Sequence, residues 1–163
     1  MSDTLPAAAE PIALLFKINN SLVTRGLEGL SDDEAWHQME GKANPIAWVV
    51  GHVTETRGQL LGLLGAPWDP GWGNRFKRGS ERVDRAAYPS VSAIGAKFAE
   101  THEAMRAAFG SLTPERLASP TPVSFAGAQT VADLLAFFAF HEAYHIGQVG
   151  FIRKNLGHSS LAG

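Results

Sequence analysis

Apolar residues recur at spacings of three and four along four long stretches of the chain, which is the period of one helix face. This pattern predicts four long α-helices, and no stretch alternates in the way that a half-buried strand does. The predicted helices cover about residues 8–27, 44–64, 90–109 and 130–156. At 1.5 Å per residue the last of them is roughly 40 Å long, a length that suits a helical bundle.

Capping residues mark the ends of these helices and predict one further short helical turn. They are a Ser31-Asp32-Asp33-Glu34 capping box, Asn44 as N-cap before Pro45, Thr130 with Asp133, Gly110 as C-cap, and Gly157. Two long connections remain, at 66–89 and 111–129, and loops of this length are usually functional or mobile. The pattern as a whole predicts an all-α four-helix bundle with at least one crossover connection.

Composition narrows the class of protein. The 163 residues are 45% hydrophobic and include no cysteine, which favours one domain over residues 1–163 and excludes disulfides and a thiolate nucleophile. Any metal must therefore be held by His, Asp or Glu. The net charge of −2 offers no basic footprint for nucleic acid. Only 18% of residues are charged, which suggests that a partner subunit covers some surface and that the protein is a homodimer.

The sequence predicts a cytoplasmic protein that does not cross a membrane. The N-terminus has no basic segment followed by an apolar one, so we expect no signal peptide. The most apolar run, at 131–140, contains Asp133 and is too short to span a bilayer. The start of the last helix is apolar nearly all round, which again favours coverage by loops or a second subunit.

The strongest chemical signal is a pair of histidines four residues apart. His141 and His145 lie one helical turn apart on the face that also carries apolar residues, so both point into the bundle. Burying two imidazoles costs desolvation, and a shared metal ion would give each of them a partner. His52 lies on the apolar stripe of the second helix and would complete an open three-histidine site. The alternative is a set of core histidines, each bonded to a carbonyl or to water.

The string His141-Glu142-Ala143-Tyr144-His145 also matches the HExxH pattern of metalloproteases. The longer form of that pattern requires a glycine and a third histidine where this chain has Gln148 and Phe151. No acidic residue follows Glu142, and no strand is predicted that could bind a peptide. A protease is therefore disfavoured.

Two stretches resemble the DinB/YfiT-like superfamily of metal-dependent four-helix-bundle enzymes. They are Asn44-Pro45-Ile46-Ala47-Trp48-Val49-Val50-Gly51-His52 and His141-Glu142-Ala143-Tyr144-His145-Ile146-Gly147-Gln148. The resemblance implies an up-down-down-up bundle, often a homodimer, with one divalent metal, commonly Zn or Ni, on His52, His141 and His145. Relatives in that superfamily include thiol S-transferases and a mycothiol-dependent isomerase, so the resemblance identifies the site better than the reaction.

A metal on three imidazoles can activate water or deprotonate a thiol. Since the chain has no cysteine, the nucleophile must come from a low-molecular-weight thiol cosubstrate or from water, which favours S-transfer or hydrolysis on a small molecule. Glu142 and Glu55 are candidate catalytic residues, for orienting ligands or moving protons. Glu142 lies about 100° round the helix from His141, so the alternative is that it faces solvent. A non-catalytic metal-binding bundle with a structural or stress-related role is the competing hypothesis.

Three further groups of residues are weaker candidates. Trp72, Arg75 and Arg78 in the first long connection could bind an anionic cosubstrate; alternatively, the aromatic residues pin the loop and the charges are solvated. His102 lies on an apolar stripe and is either a fourth ligand or a histidine at the edge of the core. The remaining histidines at 37 and 158 fall in loops, and we expect them to be solvated.

Overall fold

The computed structural model describes residues 5–39, 43–81, 83–123 and 127–161. They form six α-helices and one turn of 3-10 helix at Arg85–Ala87. The α-helices are α1 (Glu10–Leu27), α2 (Asp32–Trp36), α3 (Ile46–Leu63), α4 (Val91–Gly110), α5 (Pro114–Ala118) and α6 (Val131–Asn155). Within the described ranges no β-strand occurs, and Pro120 and Thr130 form an isolated bridge. The predicted all-α class is confirmed.

The helix ends follow the predicted caps with small corrections. Both capping boxes form, at the starts of α2 and α6, and Gly157 ends α6 in the left-handed region with φ 89°. The prediction of Asn44 as N-cap is wrong, because Pro45 has an extended ψ of 157° and is itself the cap of α3. Gly110 is the last residue of α4 rather than its cap, since Ser111 takes that position.

The connection at 111–129 contains a helix that the hydrophobic pattern does not predict. In α5 the hydroxyl of Thr113 accepts a hydrogen bond from the Arg116 amide, and Pro114 occupies the first turn. Five residues are too few to show a helical period, which explains why this helix escapes a search for periodicity.

The four long helices pack in a ring in which α1 contacts α6, α6 contacts α3, α3 contacts α4, and α4 contacts α1. Their apolar side chains form two separate clusters, one toward each end of the four packed helices. The first includes Ile12, Phe16, Leu61, Phe109, Val131 and Phe138; the second includes Val23, Ile46, Val50, Phe76, Ile94 and Ile152. No helix among the described residues is long and apolar enough to cross a membrane.

A layer of buried polar residues separates the two apolar clusters. It comprises Asn19 of α1, Thr54, Glu55, Thr56 and Arg57 of α3, Thr101 of α4 and Glu142 of α6. Each of these positions lies, along its own helix, between the residues that build the first cluster and those that build the second. The candidate site therefore sits beside a polar layer in the middle of the bundle.

Two glycines of α3 seat the connection that follows this helix. A Cβ at Gly51 would lie 2.4 Å from the ring of Phe76, and one at Gly58 would lie 2.9 Å from the carbonyl oxygen of Trp68. Seven residues separate the two glycines, so they share one face of α3. The connection consequently lies directly on the helix that carries His52.

Candidate metal centre

Three histidines from α3 and α6 converge on one point. The Nε2 atom of His141 lies 3.3 Å from Nε2 of His52 and 3.2 Å from Nε2 of His145. The three possible ligand atoms all lie within 4.8 Å of one another. His52 is buried, and the other two imidazoles are half-buried. The structure thus brings together the three residues that the spacing and the resemblance single out.

Oxygen atoms behind two of the imidazoles determine which nitrogen carries the proton. Nδ1 of His52 lies 2.7 Å from the carbonyl oxygen of Phe76, and Nδ1 of His145 lies 2.8 Å from Oε1 of Gln148. These oxygens only accept, so each Nδ1 donates its proton outward and each Nε2 presents a lone pair to the common point. Outer partners of this kind orient histidine ligands in metal sites.

Without a cation the converging nitrogens cannot all be satisfied. A proton on Nε2 of His141 could serve the lone pair of His52 or that of His145, but not both. Nδ1 of His141 is buried and finds no hydrogen-bond partner among the described residues. A metal ion would accept all three lone pairs at once, so the donor set fits a cation of the kind that imidazole prefers.

Burial keeps these imidazoles neutral at physiological pH. Desolvation lowers the pKa of His141 to about 4, helped by the charges that His145 and His52 would carry. Desolvation also lowers the pKa of His52 and of His145, while their outer hydrogen bonds act in the opposite direction. Neutral imidazole is the form that binds metals, so these side chains are in the state that a metal site requires.

Aromatic rings flank each of the three histidines. The Trp48 ring stacks on His52 with centroids 5.3 Å apart, and the Phe137 ring lies 6.2 Å from His141. The Tyr144 ring approaches His145 edge-on at 5.4 Å. The imidazoles therefore lie in largely apolar surroundings, which strengthens electrostatic interactions at their common point.

No fourth ligand joins this group among the residues that the structure describes. His102, the candidate fourth ligand, instead lines a cavity of about 590 Å³ between α1 and α4. Burial, followed by the charge of Arg57, lowers the pKa of His102. Three histidines with no further protein ligand make an open site, the form that leaves a position for water or substrate.

The structure places Glu142 in the polar layer rather than at the surface. Its carboxylate accepts two hydrogen bonds from Arg57, at 2.6 and 2.9 Å, and both side chains are only 1% exposed. The alternative that Glu142 faces solvent is therefore wrong. The imidazole of its neighbour His141 points toward the other two histidines, whereas the carboxylate turns to Arg57.

Glu55 stands behind His52 and shares a backbone partner with it. The carboxylate of Glu55 accepts a hydrogen bond of 3.3 Å from the Phe76 amide, while the Phe76 carbonyl accepts from His52. Burial raises the pKa of Glu55 to about 7, Asp69 adds to this effect, and the Phe76 amide opposes it. The carboxyl group therefore titrates close to neutral pH.

The first long connection combines a packed aromatic residue with exposed arginines. The Trp72 ring packs on Phe76 at 5.1 Å and so helps to pin the connection, while Arg75 and Arg78 are exposed. The charge of Arg78 contributes to lowering the pKa of His52, which shows that this guanidinium lies within electrostatic range of the site.

The two loop histidines differ in their surroundings. His37 is exposed, as expected. The expectation that His158 is solvated is wrong, because its Nε2 lies 3.0 Å from Oε1 of Glu34 and the ring is partly buried. That contact links the chain after α6 to α2.

Four residues of the site are missed by sequence reasoning: Trp48, Arg57, Phe76 and Gln148. Gln148 could have been found, since it lies three residues after His145 on the same helix. Gly51 beside His52 hints that another segment approaches closely. Nothing in the sequence identifies Phe76 itself, because it acts through a backbone carbonyl that every residue possesses.

Comparison with known proteins agrees with this geometry. The family model described as the DinB superfamily matches residues 16–149, a range that includes all three histidines. The chain belongs to the DinB superfamily. Membership and the three-histidine cluster together fit a metal-binding protein.

A solved structure shows the same fold. The chain is similar to a structure titled as the conserved protein of a locus from Enterococcus faecalis, with a TM-score of 0.71 and 12% sequence identity. The match covers 92% of this chain and 98% of the other. A search among curated proteins finds no significant match. The structural likeness therefore supports the fold of this DinB protein and leaves the reaction to be argued from the site.

Proposed function

We propose that this DinB protein is a divalent-metal-dependent enzyme that acts on a small molecule, with the ion held by His52, His141 and His145. The observation that carries the proposal is the convergence of three Nε2 atoms, two of them on rings whose outer nitrogens are already tied to oxygen acceptors. Zn or Ni suits three imidazole ligands. Thiol-dependent S-transfer is the favoured reaction, and metal-assisted hydrolysis is the second.

The open ligand set favours catalysis over a purely structural role. A structural site is usually closed by a fourth protein ligand, and the described residues offer none. A bound divalent ion would supply Lewis acidity, lowering the pKa of a thiol or of water at the free position. The alternative function, a non-catalytic metal-binding bundle with a structural or stress-related role, would require that position to remain unused.

The surrounding side chains suggest how a substrate is held. Trp48, Phe137 and Tyr144 would exclude water from the reacting atoms and contact an apolar part of the substrate. The exposed guanidiniums of Arg75 and Arg78 would attract an anionic thiol cosubstrate, with Trp72 holding their segment in place. These three residues are therefore our candidates for binding the cosubstrate.

The two glutamates take different parts in the proposal. Glu55 titrates near neutral pH and lies one backbone unit behind His52, so it is the candidate for accepting or returning a proton. Glu142 is the candidate for orientation, because its carboxylate is committed to Arg57 while its neighbour His141 binds the ion.

The same proposal includes an up-down-down-up arrangement of one domain, a homodimer and a cytoplasmic location. The arrangement is supported by one apolar cluster, which joins the ends of α1 and α6 (Val23, Ile152) to the starts of α3 and α4 (Ile46, Ile94). The net charge of −2 argues against nucleic acid as a partner.

The deciding experiment measures bound metal in protein purified without a histidine tag or chelator. We expect about one equivalent of Zn or Ni in the wild type and loss of that metal in His52→Ala and His141→Ala. His37→Ala is the matched control, because this histidine is exposed and outside the cluster. Absence of metal from the wild type, with none taken up from added Zn or Ni, would contradict the proposal.

A metal-loaded protein can then be tested for chemistry. Thiols of low molecular weight are offered together with electrophiles, and hydrolysis of the same electrophiles is followed without thiol. Turnover that requires both metal and thiol supports S-transfer, whereas turnover without thiol supports hydrolysis. Stoichiometric metal whose removal lowers thermal stability, without turnover of any of these compounds, favours the structural alternative.

A further inference from the structure

The polar layer contains a buried ion pair that none of the proposed chemistry uses directly. Arg57 of α3 donates from Nε to Oε1 of Glu142 at 2.6 Å and from Nη2 to Oε2 at 2.9 Å. A two-pronged guanidinium–carboxylate pair is directional, because both hydrogen bonds are good only in one relative orientation. The pair therefore specifies how α6 is rotated and shifted against α3.

Arg57 of α3 contacts the other three long helices. Besides Glu142 of α6, its Nη1 lies 3.4 Å from Oδ1 of Asn20 in α1. Its guanidinium carbon lies 4.2 Å from the ring centroid of Phe98 in α4. The same carbon lies 5.9 Å from the ring centroid of Phe16 in α1. The position of this one buried side chain is thus determined by contacts with α1, α4 and α6.

A third residue, from α1, also contacts the carboxylate. The side-chain nitrogen Nδ2 of Asn19 donates to the carbonyl oxygen of Ala139 at 2.9 Å and to Oε2 of Glu142 at 3.4 Å. The turn of α6 that carries Glu142 is therefore held by α1 as well as by α3. His141 belongs to this same turn, and His145 lies on the next.

These contacts bear on the metal centre because it is divided between the same two helices. His52 comes from α3, and His141 and His145 come from α6, so a rotation of α6 would separate their Nε2 atoms. We propose that Arg57 and Glu142 are positioning residues, which set the register of α6 against α3 and so hold His141 and His145 at the geometry needed for one ion with His52. This inference rests on the proposed metal site.

A positioning role and a merely stabilising role predict different outcomes. A buried ion pair can often be replaced by apolar side chains of similar volume with little loss of stability. The apolar pair would keep the fold but would no longer specify rotation through paired hydrogen bonds. Metal binding should then weaken even where stability is retained.

The test compares Arg57→Met/Glu142→Leu and Arg57→Lys with the wild type, using Zn²⁺ affinity and the visible absorption spectrum of bound Co²⁺. We expect the double variant to bind Zn²⁺ about tenfold more weakly, with an altered Co²⁺ spectrum. Arg57→Lys keeps the charge but loses the fork, so it should fall between the two. Glu142→Gln, which keeps the shape of the acceptor, should retain more of the wild-type Zn²⁺ affinity than Glu142→Leu does.

The matched control is Arg153→Met. Arg153 is a second buried arginine, on α6, and its Nη1 donates to the carbonyl oxygens of Gly26 and Glu28. Its loss should lower stability while leaving Zn²⁺ affinity and the Co²⁺ spectrum unchanged. Wild-type affinity and spectrum in both Arg57 variants would overturn the inference, and if the double variant does not fold, the same result in Arg57→Lys alone is decisive. Failure of the wild type to bind either ion would instead reject the metal site itself.

Discussion

Gly51 is the residue that allows the connection after α3 to lie against the candidate metal centre. A Cβ at this position would lie within 2.4 Å of two atoms of the Phe76 ring, which is completely buried. We expect relief of this contact to shift the backbone of Phe76 as well as its ring, and with it the carbonyl oxygen that accepts from Nδ1 of His52. One hydrogen atom in place of a methyl group thus links the packing of the connection to the orientation of a ligand.

We expect Gly51→Ala to lower the free energy of unfolding by about 1–3 kcal/mol, because it overpacks a filled site. It should also weaken metal binding through the displaced Phe76 carbonyl. Urea unfolding and Zn²⁺ titration measure the two effects. The control is Gly62→Ala on the same helix. There a Cβ would meet no heavy atom within 4 Å among the described residues outside the neighbouring helix backbone, and alanine should stabilise the helix by about 0.5–1 kcal/mol. Equal behaviour of the two variants would show that the close contact is unimportant.

At this scale the sequence could identify the three histidines that converge, but not the groups that hold them in place. His141 and His145 are separated by one helical turn, and that spacing alone places their side chains together. The partner of His52 is a backbone carbonyl brought from 24 residues away, and backbone groups leave no trace in a sequence. The direction of Glu142 was equally hidden, because it depends on Arg57 of another helix.

At the level of the elements, the connection after α3 is attached to this helix by the hydrogen bonds of Phe76. The backbone amide of Phe76 donates to Glu55, and its carbonyl accepts from His52, so one residue bridges two positions of α3. The Trp72 ring packs edge-on against the ring of Phe76. The attachment therefore includes a carboxyl group whose pKa burial raises from 4.5 to about 7.

This raised pKa predicts how stability depends on pH. The folded protein holds the proton of Glu55 more tightly than the unfolded chain does. The stabilisation that this protonated carboxyl group gives the fold is therefore fully present below about pH 4.5 and is lost as pH rises through about 7. Asp69 and Lys77 are the charges that act on this group, in opposite directions. In chelator, the free energy of unfolding of the wild type minus that of Glu55→Gln should fall by up to about 3 kcal/mol between these limits. A difference that does not change with pH would refute the assignment.

Helix ends were the most predictable part of the elements, for a local reason. The boxes Ser31–Glu34 and Thr130–Asp133 satisfy amides within four residues, so their chemistry is visible in a short window. The α5 helix has the same signals in Thr113 and Pro114, yet it lacks the length that gives a hydrophobic period. The sequence therefore predicted the long helices well and left out the helix inside the second connection.

Over the whole molecule, the separation into two apolar clusters could not be foreseen from the sequence. Asn19 falls on the apolar stripe of its helix, but the polar residues that interrupt the core come from four different helices, and no single helix shows that they meet. Only the packing of four helices places Asn19, Arg57, Thr101 and Glu142 at one level. Specificity of helix register is a property of such layers rather than of any one stripe.

Side chains on the outside of the bundle bear on the proposed homodimer. Phe140 of α6 is 65% exposed, and Leu15 and Ile18 of α1, the helix that packs against α6, are nearly half exposed. Large apolar side chains grouped on two adjacent helices are more typical of an interface than of a surface in contact with water. The low proportion of charged residues points in the same direction.

We therefore expect light scattering after size exclusion to give twice the chain mass of 17.4 kDa for the wild type. Phe140→Glu should halve that mass, because a carboxylate at the centre of an apolar interface would have to be buried without a partner. Val83→Glu is the control, since Val83 is 45% exposed but lies in the connection, outside α1 and α6. A dimer that survives Phe140→Glu must use another face.

Phe140 directly precedes His141, so the same variant, titrated with Zn²⁺ as a monomer, also tests whether each chain holds its ion alone. Unchanged Zn²⁺ affinity is the expected result, because one chain supplies all three proposed ligands.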